Sequence, residues 1–215
     1  MSFEEGEDAF DDTMYNAALA EVLDGDDVPM SIFGAVFPYP KFSDGIFYSA
    51  GNAAGTVVHQ VNTNSGGTSM LRINRNGTIR TAGIISDTPY IYSEVFTGTA
   101  NSIYKDSDTL LKNTPMDTGL LDFNYFRLGA DQTLNNGLRG DIGEVIVFDR
   151  AVTSDERRDI ECYLRQKWIN PTAKNCTSAD VTTSNMVAWY RADSGIVLDG
   201  GDDDAVDGAV DGDSD

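Results

Sequence analysis

Three acidic residues, Asp141, Glu144 and Asp149, lie in one strand-like stretch and are the carboxylates whose spacing comes nearest to a catalytic pair. Glycosidic-bond hydrolysis needs two carboxyl groups on the same face, about 5–5.5 Å apart in retaining enzymes. Side chains alternate between the two faces of a strand. Residues three or five positions apart are therefore predicted to lie on opposite faces, so the sequence predicts no catalytic residues and no glycosidase activity.

Potential metal ligands are concentrated near the C-terminal end of the sequence. His59 is the single histidine, so a zinc site of several histidines or a catalytic triad is not expected, and a structural role is predicted for it. Aspartates beside flexible glycines are typical calcium ligands, although the glutamate that ends an EF-hand loop is missing. The sequence predicts either a calcium site or a solvated, disordered tail. The candidate calcium ligands are Asp202, Asp204, Asp207, Asp211 and Asp213.

The chain has two cysteines, Cys162 in a predicted helix and Cys176 in the loop that follows. A disulfide between them would contribute about 3 kcal/mol in the loop-entropy model. It would also favour an oxidising location. Two free thiols, one of them buried on the helix, are the alternative.

The net charge of −20 is spread unevenly over the 215 residues. Residues 1–27 hold ten acidic residues, residues 199–215 hold eight, and neither segment has a basic residue. The remaining 17 acidic residues face 15 Lys and Arg, so the body is nearly neutral. This charge argues against nucleic acid or an anionic membrane as a partner. No apolar run approaches the roughly 18 residues of a membrane span, and the acidic N-terminus does not resemble a secretion signal.

Short β-prone segments separated by turn residues are typical of a sandwich or barrel. Asn76-Gly77 and Asp106-Ser107 predict hairpin turns. Thr153 and Glu156 form a capping-box pattern that predicts the start of a helix, and residues 14–23 also favour a short helix. The predicted strands are 30–37, 45–50, 57–62, 69–74, 78–82, 90–97, 102–105, 108–113, 125–128 and 140–148.

Several stretches together resemble a known family. Residues 138–164, with the strand Gly-Asp-Ile-Gly-Glu-Val-Ile-Val-Phe, are similar to the closing strand and terminal helix of laminin-G-like domains of the concanavalin A-like lectin/glucanase type. Residues 3–10 and 30–37 resemble earlier strands of that module. Residues 188–195, Ala-Trp-Tyr-Arg-Ala-Asp-Ser-Gly, resemble its opening strand, although here they come last. The resemblance implies an all-β, antiparallel jelly-roll β-sandwich with one short helix near residues 154–168.

The displaced strand suggests four segments: a laminin-G-like body over 1–170, a linker over 171–185, the strand over 186–199 and an acidic Asp/Gly-rich tail over 200–215. The strand completes its own sandwich, completes a neighbouring subunit, or begins a second module beyond residue 215. A sandwich without it would expose an apolar edge. The residues predicted to form this assembly strand are Val187, Trp189, Arg191 and Asp193.

These features predict a non-enzymatic structural or adhesive subunit of a repeating assembly, extracellular or on a virion surface, whose partners are copies of itself or other structural subunits. The alternative is a lectin-like module that binds glycans, with or without calcium, and a third class is a divergent glycan hydrolase. Sugar contacts in such sandwiches usually come from loops that carry Asp, Asn, Gly and an aromatic residue. The candidates, none of which stands out, are Asn52, Asn62, Asn64, Asn101, Tyr90 and Tyr39.

Overall fold

A computed structural model describes the backbone of most of the chain. The described residues are 2–3, 14–38, 45–52, 58–64, 70–75, 78–84, 88–116, 120–121, 123–130, 138, 140–172, 181–192 and 195–197. They form two helices, α1 (Ala17–Leu23) and α2 (Ser154–Trp168). The strands are β1 (Ser2–Phe3), β2 (Met14–Tyr15), β3 (Gly25–Asp26), β4 (Met30–Pro38), β5 (Gly45–Gly51), β6 (Val58–Asn64), β7 (Met70–Arg75), β8 (Thr78–Ile84), β9 (Tyr90–Phe96), β10 (Ala100–Lys105), β11 (Asp108–Pro115), β12 (Leu120–Leu121), β13 (Tyr125–Leu128), β14 (Gly140–Phe148), β15 (Met186–Arg191) and β16 (Gly195–Val197).

Two antiparallel sheets make up the sandwich. The eight-stranded sheet has the order β11-β10-β9-β4-β14-β15-β16, and β1 also pairs with β14. The six-stranded sheet has the order β2-β13-β5-β6-β7-β8. A small additional pairing joins β3 to β12. The predicted all-β, antiparallel jelly-roll sandwich is confirmed, including the helix near residues 154–168.

The central strands of the eight-stranded sheet, β4, β9 and β14, are buried on both faces. One face packs against the six-stranded sheet and contributes Ile32, Tyr92 and Val145 to the core between the sheets. The other face packs against α2 and contributes Phe33 and Ile146 to a second core. Every residue from 30 to 36 is buried, which explains why this strand reads as an almost continuous apolar run.

The strand predicted to be displaced lies in the chain's own sheet. β15 pairs with β14, with Glu144 opposite Arg191 and Val147 opposite Ala188. The far edge of β15 pairs with β16, and Tyr190 is buried in the core between the sheets. The structure therefore has the self-completing arrangement, and donation of this strand to a neighbouring subunit stays a prediction.

Both helices begin at the residues that the capping chemistry requires. Thr153 and Glu156 form the predicted capping box at the start of α2. At α1 the Asn16 side chain accepts from the Leu19 amide at 2.9 Å and donates to the Tyr190 hydroxyl at 2.9 Å. The buried face of α1 closes the sandwich beside β13 and β15. The sequence prediction for residues 14–23 was partly wrong, because the first two residues form β2.

Several predicted segments fall wholly or partly outside the described residues. In the predicted linker, Val181 is buried in the core beneath α2. Asp193 and the acidic tail over 200–215 lie outside the described residues. The strand pairing around Asn76-Gly77 is present, with Arg75 opposite Thr78. Asp106 and Ser107 both have positive φ, 53° and 71°, as a tight hairpin turn of this kind requires.

Candidate functional site

The predicted separation of Asp141 and Glu144 onto opposite faces is wrong, because the strand carries a bulge between them. Asp141 pairs with Phe37, and Glu144 pairs with Ala35, with a register shift between Ile142 and Glu144. Phe37 and Ala35 both belong to the core beneath α2, so both acids share that face. A β-bulge adds one residue to a strand and thereby resets the alternation.

Glu144 is buried and is surrounded by donors. Its Oε1 accepts from the Tyr163 hydroxyl at 2.9 Å and from the Trp189 indole N–H. Its Oε2 accepts from Lys167 Nζ at 2.8 Å and from the Trp168 indole N–H at 2.6 Å. Burial and the neighbouring carboxylate raise the pKa of Tyr163 to about 12. This carboxylate therefore connects α2 and β15 to the centre of the sheet.

A second buried carboxylate, Glu94, lies in the core between the sheets. It accepts from the hydroxyls of Tyr48 and Tyr92, the latter at 2.6 Å, and from the Asn101 amide. Burial, followed by the charge of Glu94, raises the pKa of Tyr92 well above its usual value. Asn101 and Tyr90, two of the sugar-binding candidates, are fully buried and are not accessible to a ligand from solvent.

A third buried carboxylate, Glu161 of α2, is paired with a cation. Arg157 donates to both of its oxygens at 2.5 and 2.6 Å, and Ser93 donates to Oε1 at 2.7 Å. The guanidinium of Arg157 also lies 3.9 Å from the centre of the Tyr104 ring. The lone pairs of all three buried acids are engaged by donors from neighbouring elements. These acids position the elements of the fold and do not form an open site.

Metal and disulfide chemistry are only partly covered by the structure. In the ranges that the structure describes, no three His, Cys, Asp or Glu side chains cluster as a metal site would require. The five candidate calcium ligands after residue 200 lie outside those ranges, so calcium binding stays a prediction. Cys162 is disulfide-bonded, whereas Cys176 lies outside the described residues, and the pairing of the two stays a prediction.

The outer face of the six-stranded sheet carries a row of carboxamides. Tyr48 belongs to the core between the sheets and pairs with Val61, which pairs with Ile73. The residues that alternate with these therefore belong to the opposite, outer face. Gln60 pairs with Asn74, Asn62 with Arg72, and Arg72 with Thr81. By the same register Met70, opposite Asn64, and Ile79, opposite Asn74, belong to this face as well. We define the amide face as its polar members, Gln60, Asn62, Asn64, Arg72, Asn74 and Thr81.

The amide face has a border on β5. Ser49 pairs with Gln60 on one side and with Arg127 on the other. Its hydroxyl is buried and donates to the Ala130 carbonyl at 2.7 Å. Ala130, just after β13, therefore lies against β5 beside the amide face. Small-molecule sites are concave, and a border of this kind adds relief to a sheet face.

An exposed aromatic and an arginine lie beyond this border. Tyr15 pairs with Arg127 and is 54% exposed. The guanidinium of Arg127 lies 5.7 Å from the centre of the Tyr15 ring. Asn52 is half-buried at the end of β5, near this patch and not on the amide face. Tyr39, the remaining sugar-binding candidate, lies outside the described residues.

Sequence reasoning identified Asn62 and Asn64 as sugar-binding candidates but missed the charge pattern around them. Residues 45–86 contain no Asp or Glu, although the chain has 35 acidic residues. The six strands of this sheet hold four arginines and the histidine, and no acid. A scan of acidic spacing along the sequence would have found this segment.

No protein-family model and no curated protein matches the chain. Solved structures do match. A heptameric SAP-like pentraxin from Limulus polyphemus is 13% identical with a TM-score of 0.51, over 81% of this chain and 84% of that one. The CBM40 of the Ruminococcus gnavus IT-sialidase is 11% identical with a TM-score of 0.54, over 67% and 86%. A putative carbohydrate binding protein from Bacteroides ovatus is 12% identical with a TM-score of 0.52, over 88% and 50%.

The fold is a concanavalin A-like jelly roll. At these identities the similarity concerns the fold alone, and the laminin-G subtype suggested by the sequence stays a prediction. Within the described residues, no helix is both long and apolar enough to cross a membrane.

Proposed function

We propose that this chain is a non-catalytic, lectin-like module that binds a carbohydrate across the amide face. The observation that carries the proposal is the register of β6, β7 and β8, which gathers four carboxamides, an arginine and a hydroxyl on one face. Carboxamides both donate and accept hydrogen bonds, as sugar hydroxyls do. Neighbouring strands lie about 4.8 Å apart, so these groups form a grid suited to a chain of hydroxyls.

The structural relatives support this interpretation. The Bacteroides ovatus neighbour is named a putative carbohydrate binding protein. Another structure of the Ruminococcus gnavus CBM40 contains α2,3 sialyllactose and has a TM-score of 0.52 to this chain. The proposal leaves out catalysis because Glu94, Glu144 and Glu161 are each occupied by donors within the fold.

An extracellular location is part of the proposal. Cys162 is disulfide-bonded, and disulfides persist in oxidising compartments. The competing hypothesis of an assembly subunit relied on donation of the displaced strand to a neighbouring subunit. Val187, Trp189 and Arg191 lie in a strand that pairs with β14 of the same chain, so the assembly hypothesis loses its main support. The virion location followed from that hypothesis and is not part of the proposal.

The test is a glycan array with the purified chain and two matched double variants. Replacing Asn62 and Asn74 by Ala should weaken binding about tenfold or more, because each lost hydrogen bond contributes about 0.5–1.5 kcal/mol. The control variant has Ala in place of Thr109 and Lys112, two residues that are exposed on β11 of the other sheet. This control should bind like the wild type. Equal binding by all three proteins would place the ligand elsewhere. A repeat with a calcium chelator separates a calcium-dependent mode from a direct one.

A further inference from the structure

The six-stranded sheet differs in charge from the rest of this acidic protein. The chain as a whole has a net charge of −20. Residues 45–86, which include β5 to β8, carry only positive formal charge, and β2 and β13 add Arg127 without adding an acid. The strands of this sheet therefore carry a net positive formal charge in a chain that is otherwise acidic.

One of the arginines belongs to the amide face itself. Arg72 pairs with Asn62 on one side and with Thr81 on the other. Its near neighbours on that face, Asn74 and Gln60, are neutral. An Arg guanidinium among carboxamides offers forked donors to a carboxylate or sulfate. Arg127 lies three strands away from Arg72 and two residues along the strand direction. With about 4.8 Å between neighbouring strands and about 3.4 Å per residue, the two positions are about 16 Å apart.

We propose that the amide face selects anionic glycans, those that carry carboxylate or sulfate groups, through Arg72. This inference rests on the proposed carbohydrate-binding function. Amides recognise the hydroxyls of the sugar rings, and Arg72 recognises the acidic substituent. The acid-free sheet removes local repulsion, which would otherwise be severe in a protein of this charge.

The overall charge makes the inference sharply testable. A chain of charge −20 is repelled by polyanions at long range, and that repulsion is screened beyond about 8 Å at 0.15 M salt. Binding of a polyanion at this salt concentration therefore requires a local site. The probes are two immobilised pairs that differ in charge, polygalacturonate against its methyl ester and dextran sulfate against dextran.

The wild type is expected to bind at least one charged probe at least tenfold more tightly than its neutral counterpart, and the two pairs distinguish carboxylate from sulfate. Arg72→Gln should lose about tenfold or more in affinity for that probe, because hydrogen bonds to charged groups are the stronger ones. Arg72→Lys should recover only part of the loss, since it keeps the charge but not the fork. Lys112→Gln is the matched control on the other sheet and should have no effect.

A second variant keeps the test independent of Arg72. Asn74→Asp adds a negative charge of the same shape to the amide face, and it should weaken binding of the charged probe by repulsion. Thermal unfolding checks that each variant folds.

Equal binding to the charged and neutral probes overturns the charge selectivity but keeps the proposed function. Binding to none of the four overturns the selectivity, and the glycan array then decides the function separately. Equal binding of a single-stranded oligonucleotide overturns a glycan-specific site.

Discussion

Replacing Glu144 by Gln tests whether one buried carboxylate holds the last strand and the second helix onto the sheet. The change preserves shape and removes only a charge and an acceptor. Each carboxylate oxygen receives two donors, Tyr163 and Trp189 on Oε1, and Lys167 and Trp168 on Oε2. A carboxamide has one oxygen, so its NH₂ group must face one of these donor pairs.

The expected cost follows from the bonds that are lost. Two hydrogen bonds to a charged acceptor disappear, at about 1.5 kcal/mol each, the lower end of the range for charged groups. We expect the free energy of unfolding to fall by about 3 kcal/mol. For a domain of 150–250 residues this corresponds to a decrease in Tm of about 6–12 °C.

Calorimetry measures the shift, and tryptophan fluorescence localises it. The chain has two tryptophans, and both donate to Glu144, so their emission should change in the folded variant. A double-mutant cycle with Trp189→Phe should show coupling, since Trp189 donates directly to Glu144 and the Gln substitution either removes this hydrogen bond or takes the charge from its acceptor. Asp108→Asn is the matched control, an exposed acid on β11, and should leave Tm unchanged.

The reasoning fails if Glu144→Gln unfolds within about 2 °C of the wild type, which is less than 1 kcal/mol. It also fails if the effects of Glu144→Gln and Trp189→Phe are additive. In either case the hydrogen bonds of Glu144 would result from the packing of α2 and β15 and would not stabilise that packing.

Two further substitutions test other parts of the fold. Arg150 donates to both oxygens of Glu156, and this pairing lowers the Glu156 pKa to about 2. Glu156→Gln should therefore reduce the free energy of unfolding above pH 5, and the difference from the wild type should shrink as the pH falls from about 4.5 towards 2. Urea unfolding between pH 3 and 7 measures this difference. A difference that does not depend on pH contradicts the assignment. A Cβ on Gly34 would lie 2.2 Å from the ring tip of Phe47, so Gly34→Ala should cost about 1–3 kcal/mol by overpacking, with partial rescue by Phe47→Leu in the same urea assay.

Much of the fold was predictable from local patterns. The Thr153–Glu156 capping box and the apolar period of the following residues identify α2 within one residue of its observed start. The strands β4, β13 and β14 also follow from β-branched and aromatic runs bounded by turn residues. These signals are local, so they do not depend on where the chain goes next.

The features that could not be predicted depend on pairing between distant strands. The bulge at Gly143 reverses the face of Glu144, and its only local signal is ambiguous, since a glycine in a strand marks a bulge, a bend or a close backbone approach. Asn101 resembles an ordinary loop amide in the sequence, yet it is buried against Glu94. The amide face depends on the register of three strands, and alternation within β6 alone predicts only Gln60, Asn62 and Asn64 as a row.

The position of β4 at the centre of its sheet has a consequence for synthesis. One edge of β4 pairs with β9, and the other pairs with β14, where Ser31 lies opposite Phe148. A ribosome adds roughly 5–20 residues per second, so this apolar, uncharged strand remains without its second neighbour for roughly 5–20 s after it is made. Long-range pairing of this kind folds slowly and leaves strand edges open to aggregation. A low expression level, which keeps the concentration of incomplete chains small, together with ample chaperone is therefore the condition under which this chain should be produced in soluble form.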